Sequence, residues 1–183
     1  MEYPRCTVIS PAPDQETARA AGQRLAATLK EPPGFFEFLL VVGRSPSAQR
    51  NLAIRSSDAD FVLFLDSDVT VSETFWQGMR KEIERDLVDV LGGPVLLPSD
   101  ATPNERIFQD ALSHPLVVGN AAARYSRIGE RRRCTESELI LSNLLVRRSL
   151  FEAFGKFNEA LYPNEENEWL DRLTPKVRVF HDP

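Results

Sequence analysis

The stretch FVLFLDSDVT, residues 61–70, constrains the fold more than any other part of this chain. Five apolar residues run unbroken into Asp66-Ser67-Asp68. An unbroken apolar run of that length reads as a strand buried on both faces, in a sheet covered by helices on either side. Carboxylates at the tip of such a strand are costly unless they meet water, a metal or a partner. Two of them, one residue apart, reach a single divalent cation. Oxygen ligands of this kind suit Mg2+ or Mn2+, with substrate phosphates completing the shell. The same residues also fit an acidic turn after a strand, with no ligand at all.

The flanking sequence supplies the other layers. CTVIS reads as a short buried strand ending at Pro11. From Asp14 to Lys30, the positions Ala18, Ala21, Leu25, Ala26 and Leu29 keep helical spacing, with Asp14 as N-cap and EPPG as breaker. FFEFLLVVG reads as a second buried strand, and SPSAQRNLAIRSS as a helix after Pro46 with Leu52 and Ile54 turned inward. Ser72 is placed to cap a helix carrying Phe75, Met79 and Ile83 on one face, and VDVLGGPVLL reads as a fourth strand broken at Gly92-Gly93-Pro94. Strands alternating with helices predict an α/β fold, with a mainly parallel central sheet flanked by helices and right-handed crossovers. Ligands of such sheets bind at the carboxyl ends of strands, where Asp66 and Asp68 sit. From Ser99 to Thr135 the pattern is irregular. A strand-like LILSNLLV, a short helix RSLFEAF and an acidic YPNEENEWLDRL follow.

With 183 residues, a single domain is expected. A hydrophobic content of 42% argues against disorder, and a net charge of −5 argues against a general nucleic-acid binder. No apolar run approaches the roughly 18 residues of a membrane span. The start, MEYPRCTVIS, lacks a signal-peptide layout. Cys6 and Cys134 show no metal spacing, and a reduced, buried Cys6 fits a cytoplasmic setting. The abrupt stop at VFHDP leads us to expect a C-terminal half that is incomplete.

Two enzyme chemistries place paired aspartates at a strand tip. In haloacid-dehalogenase-type phosphatases, Asp66 would be a covalent nucleophile and Asp68 a general acid. That motif normally follows the first strand, whereas two βα units precede it here, and no downstream lysine and paired-aspartate motif completes the set. The second chemistry is sugar transfer from a nucleotide. CTVISPA resembles the first strand and nucleotide-side loop of family 2 glycosyltransferases with the GT-A fold. SPSAQRNLAI resembles their segment before the metal strand, and FVLFLDSDV their D-x-D strand. The run LILSNLLVRRSLFEAFGKFNEALYPNEENEWLDRL resembles the region with the acceptor strand, the GGFDE turn and the ED catalytic helix. Four matches in the family's order cover nearly the whole chain. The resemblance implies a GT-A domain over 1–183, with residues 1–98 as the nucleotide-sugar and metal half and 99–183 as the acceptor and catalytic half.

The resemblance also implies roles. Asp68 would bind the metal that holds the diphosphate, and Asp66 the ribose or a metal-bound water, with Ser67 between them in the same cofactor-binding tip. His181, after a late strand, would be a further metal ligand. Glu166 matches the family's basic aspartate and is one methylene longer; Glu165 precedes it in the pair. Acidic residues at 165, 166 and 168 are also what a helix N-terminus favours by itself. Pro11 and Ala12 would line the base or ribose through backbone contacts. Arg50 and Asn51 would face the nucleotide, Arg50 pairing with phosphate unless it is a solvated helix residue. Asn143, a polar residue in an apolar run, needs a partner, either a sugar or acceptor or an internal backbone group, and Trp169 is expected in the core rather than stacked on an acceptor sugar.

One departure concerns the second strand, which in many relatives ends in an acidic residue reading the base or ribose. Here Gly43 and Arg44 stand there, so uridine specificity does not carry over, and Arg44 would stack on a base or meet a phosphate. Arg131-Arg132-Arg133, with Arg124 and Arg127, would meet an acidic or lipid-linked acceptor or the inner face of a membrane, unless the run is a solvated loop. The expected partners are a nucleotide-diphosphate sugar donor and a glycan or lipid-linked acceptor, without nucleic acid. The task implied is surface or cell-envelope glycan synthesis, with inversion at the anomeric centre. A non-catalytic nucleotide-sugar-binding module is the rival from another class. A nucleotidyltransferase would want a Gly-rich phosphate loop, which SPAPDQ is not.

Overall fold

The computed structural model describes residues 5–127, 129–161 and 163–183. The first four residues, read above for targeting features, and Ile128 and Tyr162, within the irregular and acidic stretches, lie outside them. In chain order the elements are β1 (Cys6–Ala12), α1 (Gln15–Thr28), β2 (Phe36–Val42), α2 (Pro46–Ser56), β3 (Phe61–Phe64), α3 (Glu73–Arg85) and β4 (Val90–Gly92). Then come α4 (Pro103–Leu112), α5 (Pro115–Val118), β5 (Arg132–Arg133), β6 (Leu144–Arg147), α6 (Ser149–Ala153), α7 (Glu165–Leu173) and β7 (Val179–His181). The strands form one sheet in the order β2-β1-β3-β6-β4-β7-β5. β1 pairs parallel with β2 and β3, and β4 parallel with β7. β6 is antiparallel between β3 and β4, and β5 is antiparallel at the edge. So β1, β2, β3, β4 and β7 run one way against β5 and β6, and the expected mainly parallel sheet is present.

Successive side chains of a strand point to opposite faces. In β3, Val62 and Phe64 enter a core with Ile9, Val146 and Trp169, while Phe61 and Leu63 enter a second core with Val8, Trp76 and Ile83. All four β3 residues are at most 1% exposed, and burying each such side chain contributes about 1.5–3 kcal/mol. This two-sided burial forces the first polar residues after the strand, Asp66 onward, to the carboxyl end of the sheet.

Local signals placed several elements well. Asp14 accepts from the Thr17 N–H at 2.7 Å and starts α1, and Ser72 accepts from the Phe75 N–H to start α3. Trp169 is fully buried, stacked on Phe151 at 4.3 Å. Three expectations need correction. Leu52 is 50% exposed, because the inner face of α2 is taken by Arg50, Asn51, Ala53 and Ile54. The stretch after Ser99 contains α4, opened by a capping box in which Thr102 and Glu105 satisfy each other's backbone N–H groups. Its apolar residues Ile107 and Phe108 are exposed, so no inward stripe announced it. Finally, LILSNLLV is not one strand: a 3-10 turn over Leu141–Asn143 precedes β6. Among the described residues no helix is long and apolar enough to cross a membrane.

Candidate active site

A cleft of about 640 Å³ opens where β1 and β3 end, α2 begins and α7 begins. Pro11 and Ala12 line it from β1, Arg44 and Arg50 from the α2 side, and Asp66, Ser67 and Asp68 from the β3 tip. Glu165 and Glu166 close the opposite wall, with Ser142, Leu141 and Pro163 beside them. The sheet explains the convergence. β1 runs past β3 in register with β2 as far as Ala12↔Val42, while β3 leaves the ladder after Phe64. Asp66 therefore starts a turn, closed by the Val69 N–H on its carbonyl at 3.2 Å, alongside the β1 tip.

The two aspartates differ in surroundings. Asp68 is exposed in the cleft. Asp66 is half-buried; one oxygen accepts from the Arg50 guanidinium at 3.1 Å and the other from the Ser142 hydroxyl. Both Asp66 oxygens are therefore hydrogen-bonded within the protein, each with a further lone pair left. The carbonyl of Ser67 accepts from Arg24 of α1, which props the tip from behind.

Arg50 is only 6% exposed, and its second terminal nitrogen donates to Glu165 at 2.9 Å. Arg50 is thus no solvated helix residue: it lines the cleft while bridging two carboxylates. Glu165 is 1% exposed, and its second oxygen has no partner in the protein. Glu166 is half-buried in the cleft wall. Burial raises its pKa above the ordinary glutamate value; a backbone hydrogen bond opposes this, the neighbouring Glu165 charge adds to it, and Arg124 and Arg50 counter it. Such a carboxylate is suited to proton abstraction.

Other expected residues lie elsewhere. Asn51 is buried and is not among the residues lining the cleft, donating instead to the Phe157 carbonyl and to Glu159, each at 2.9 Å. One residue along a helix turns a side chain by about 100°, so Arg50 and Asn51 cannot both face the cleft. His181 is fully buried on β7. Its Nε2 sits 2.9 Å from the Ala123 carbonyl and its Nδ1 3.5 Å from the Arg132 guanidinium, so both ring nitrogens face groups within the protein, and His181 is not among the residues lining the cleft that holds Asp66 and Asp68. Arg131 forks onto Glu82 at 2.7 and 2.8 Å, Arg132 pairs with Glu138, and Arg132–Arg133 form β5, so the arginine run is neither a loose loop nor a bare cationic patch. Arg44 is exposed at the cleft mouth. Ser142, rather than Asn143, is the polar residue of its run that lines the cleft. Sequence reasoning missed Ser142, Arg24 and Gln49; Gln49 donates to the Ala12 and Val41 carbonyls and locks the tips of β1 and β2 together. A glutamine one residue before Arg50 on the cleft-side helix was the available signal.

Among the described residues no group of three His, Cys, Asp or Glu side chains converges on one point. The donor set is carboxylate oxygen alone, led by Asp68. That fits a hard cation taking one or two protein carboxylates and substrate phosphates, as Mg2+ and Mn2+ do, and does not fit an all-protein cage.

Comparison with known proteins agrees with this geometry. The model of glycosyl transferase family 2 matches residues 16–155. No curated protein matches the chain. S. aureus TarS 1-349 superposes with a TM-score of 0.67 at 15% identity, over 97% of this chain and 57% of that one. Its complex with UDP-GlcNAc superposes with a TM-score of 0.63 at 15% identity, over 97% and 55%. The mannosyltransferase PcManGT from Pyrobaculum calidifontis, in complex with GDP-Man and Mn2+, gives 0.66 at 16% identity, over 100% and 55%. These likenesses show the fold, GT-A. The chain spans about half the length of these solved chains.

Proposed function

The chain belongs to glycosyl transferase family 2, and from that premise we propose that it moves a sugar from a nucleoside-diphosphate donor to an acceptor hydroxyl, with inversion at the anomeric carbon. The observation that carries this reading is the cleft itself. An exposed Asp68 at the β3 tip faces a half-buried Glu166 with a raised pKa across one opening. The nucleotide would lie along Pro11, Ala12 and Arg44, with its diphosphate toward Ser67 and Asp68. Residues 1–98 supply that side, and 99–183 supply the acceptor side.

Asp68, with Asp66 beside it, would hold Mn2+ or Mg2+. When bound, such a cation offsets the charge of the departing diphosphate. Glu166 takes the proton of the acceptor hydroxyl. That oxygen forms a bond to C1 of the sugar from the face opposite the diphosphate, the C1–O bond to the diphosphate breaks, and the nucleoside diphosphate leaves with the electron pair. Holding base, acceptor and donor in line supplies much of the rate.

This reading assigns the enzyme to surface or cell-envelope glycan synthesis on a glycan or lipid-linked acceptor. A peripheral contact at the inner face of the membrane through Arg131, Arg132 and Arg133 would have to compete with the Glu82 and Glu138 carboxylates that pair Arg131 and Arg132.

The test is a thermal-shift screen of UDP and GDP with and without Mn2+, followed by turnover of UDP-GlcNAc and GDP-mannose. Stabilisation that requires both nucleotide and metal, with release of the nucleoside diphosphate from one donor, is expected. Binding without turnover of any sugar nucleotide, unchanged by Glu166→Gln, would point to a binding module instead.

A further inference from the structure

The buried guanidinium of Arg50 spans the two sides of the cleft, donating to Asp66 at 3.1 Å and to Glu165 at 2.9 Å. Resting on the reading above, we infer that Arg50 is a positioning residue: it ties the metal-strand tip to the base-carrying helix, so that Asp68 and Glu166 keep a fixed separation before substrates arrive.

Three features lead to this. Glu165 is 1% exposed, and burying an acidic side chain so deeply is costly without a paired, hydrogen-bonding partner against it. A guanidinium is a planar fork that serves two carboxylates at once, whereas a lysine ammonium is a single point on a flexible stem. Finally, α7 begins at Asn164 without a side-chain cap, so its first turn is held from outside. Arg50 holds Glu165, and Arg124 holds Asn167 at 2.7 Å, on either side of Glu166 in the chain. The helix then fixes the direction of Glu166 relative to both. Ser142 completes the bridge by donating to the second Asp66 oxygen. Arg50 thus acts on transfer through the carboxylates it holds, without touching the donor.

The experiment compares the chain with Arg50→Lys, Arg50→Gln, Glu165→Gln and the Arg50→Gln/Glu165→Gln double variant. Arg50→Gln leaves Glu165 buried and unpaired, and its melting midpoint is expected to fall by about 10 °C. The double variant is expected to recover at least half of that fall, because the uncompensated charge is gone. Additive midpoints overturn the bridge. In Arg50→Lys, Kd for UDP or GDP with Mn2+ stays within roughly threefold of the parent, since no nucleotide contact is lost, while kcat on the matching sugar nucleotide falls tenfold or more at unchanged KM. Loss of about tenfold or more in nucleotide affinity makes Arg50 a phosphate ligand and overturns the proposal, as does an unchanged kcat. A parent chain that binds neither nucleotide strikes the functional reading, and the bridge is then judged by the midpoints of the double-variant cycle.

Discussion

Asn51 and Phe157 exchange two hydrogen bonds: the Asn51 amide donates to the Phe157 carbonyl at 2.9 Å, and the Phe157 N–H donates back to Asn51 Oδ1 at 3.1 Å. This side chain does for two distant segments what a strand partner does in a sheet. It holds the approach to α7 against α2, next to the Arg50 bridge. Removing it leaves a buried N–H and a buried carbonyl unpaired, each costing about 1–3 kcal/mol. Asn51→Ala is therefore expected to lose about 2–4 kcal/mol in urea denaturation. A loss below about 0.5 kcal/mol would mean the clamp contributes nothing beyond an average surface contact.

Asp68→Ala tests the metal role directly. The parent chain is expected to gain about 2.7 kcal/mol from Mn2+-nucleotide at a hundredfold excess over Kd, and the variant to gain none from the metal. Because Asp68 is exposed, the variant keeps the parent's stability without ligand. Equal metal-dependent stabilisation in both proteins moves the cation elsewhere.

Glu166→Gln is expected to keep nucleotide affinity and lose roughly 10²–10⁴-fold in transfer, the usual contribution of a positioned base. Burial raises the Glu166 pKa, so the folded protein holds this proton to higher pH than a free glutamate does. Any stability this adds is present below the ordinary value and lost as pH rises through the raised one. Activity runs the opposite way, because the base must be ionised. The acidic limb of kcat/KM, which reports the free enzyme, should therefore lie above the ordinary glutamate value of 4.5. A limb at or below that value assigns the base to another group.

Asp89 offers a stability test remote from the cleft. The Arg178 guanidinium, with the Arg178 N–H and Arg147, holds its carboxyl down to about 2 from 3.8. It bonds Arg178 and Arg147 at 2.8 and 3.2 Å, joining β4, β6 and the approach to β7. A lowered carboxylate contributes stability above its unfolded pKa and loses it as pH falls toward the folded one. Asp89→Asn should cost about 2 kcal/mol at pH 7 and flatten the parent's loss of stability between about pH 5 and 2. Parallel stability curves for the two proteins would count against it.

Much of the fold was readable from local chemistry. The unbroken apolar run of β3, the Asp14 and Ser72 caps and the alternation of strands with helices depend on residues close in the chain, and each produced the expected element. Asp68 and Glu166 were legible as cleft residues because a strand tip and a helix start point where the elements end. The α4 helix was missed because its apolar residues face outward, although its Thr102–Glu105 cap was in plain view.

What the sequence by itself determined was therefore the α/β layering and the acidic tip of the third strand, since burial pattern and capping act over a few residues. Which polar side chains meet was decided only by the tertiary structure. Arg50 and Glu165 lie 115 positions apart, as Asn51 and Phe157 lie 106 apart, and His181 is turned from the cleft to the Ala123 carbonyl. A buried charge must find its partner through space, and spacing along the chain carries no record of that distance.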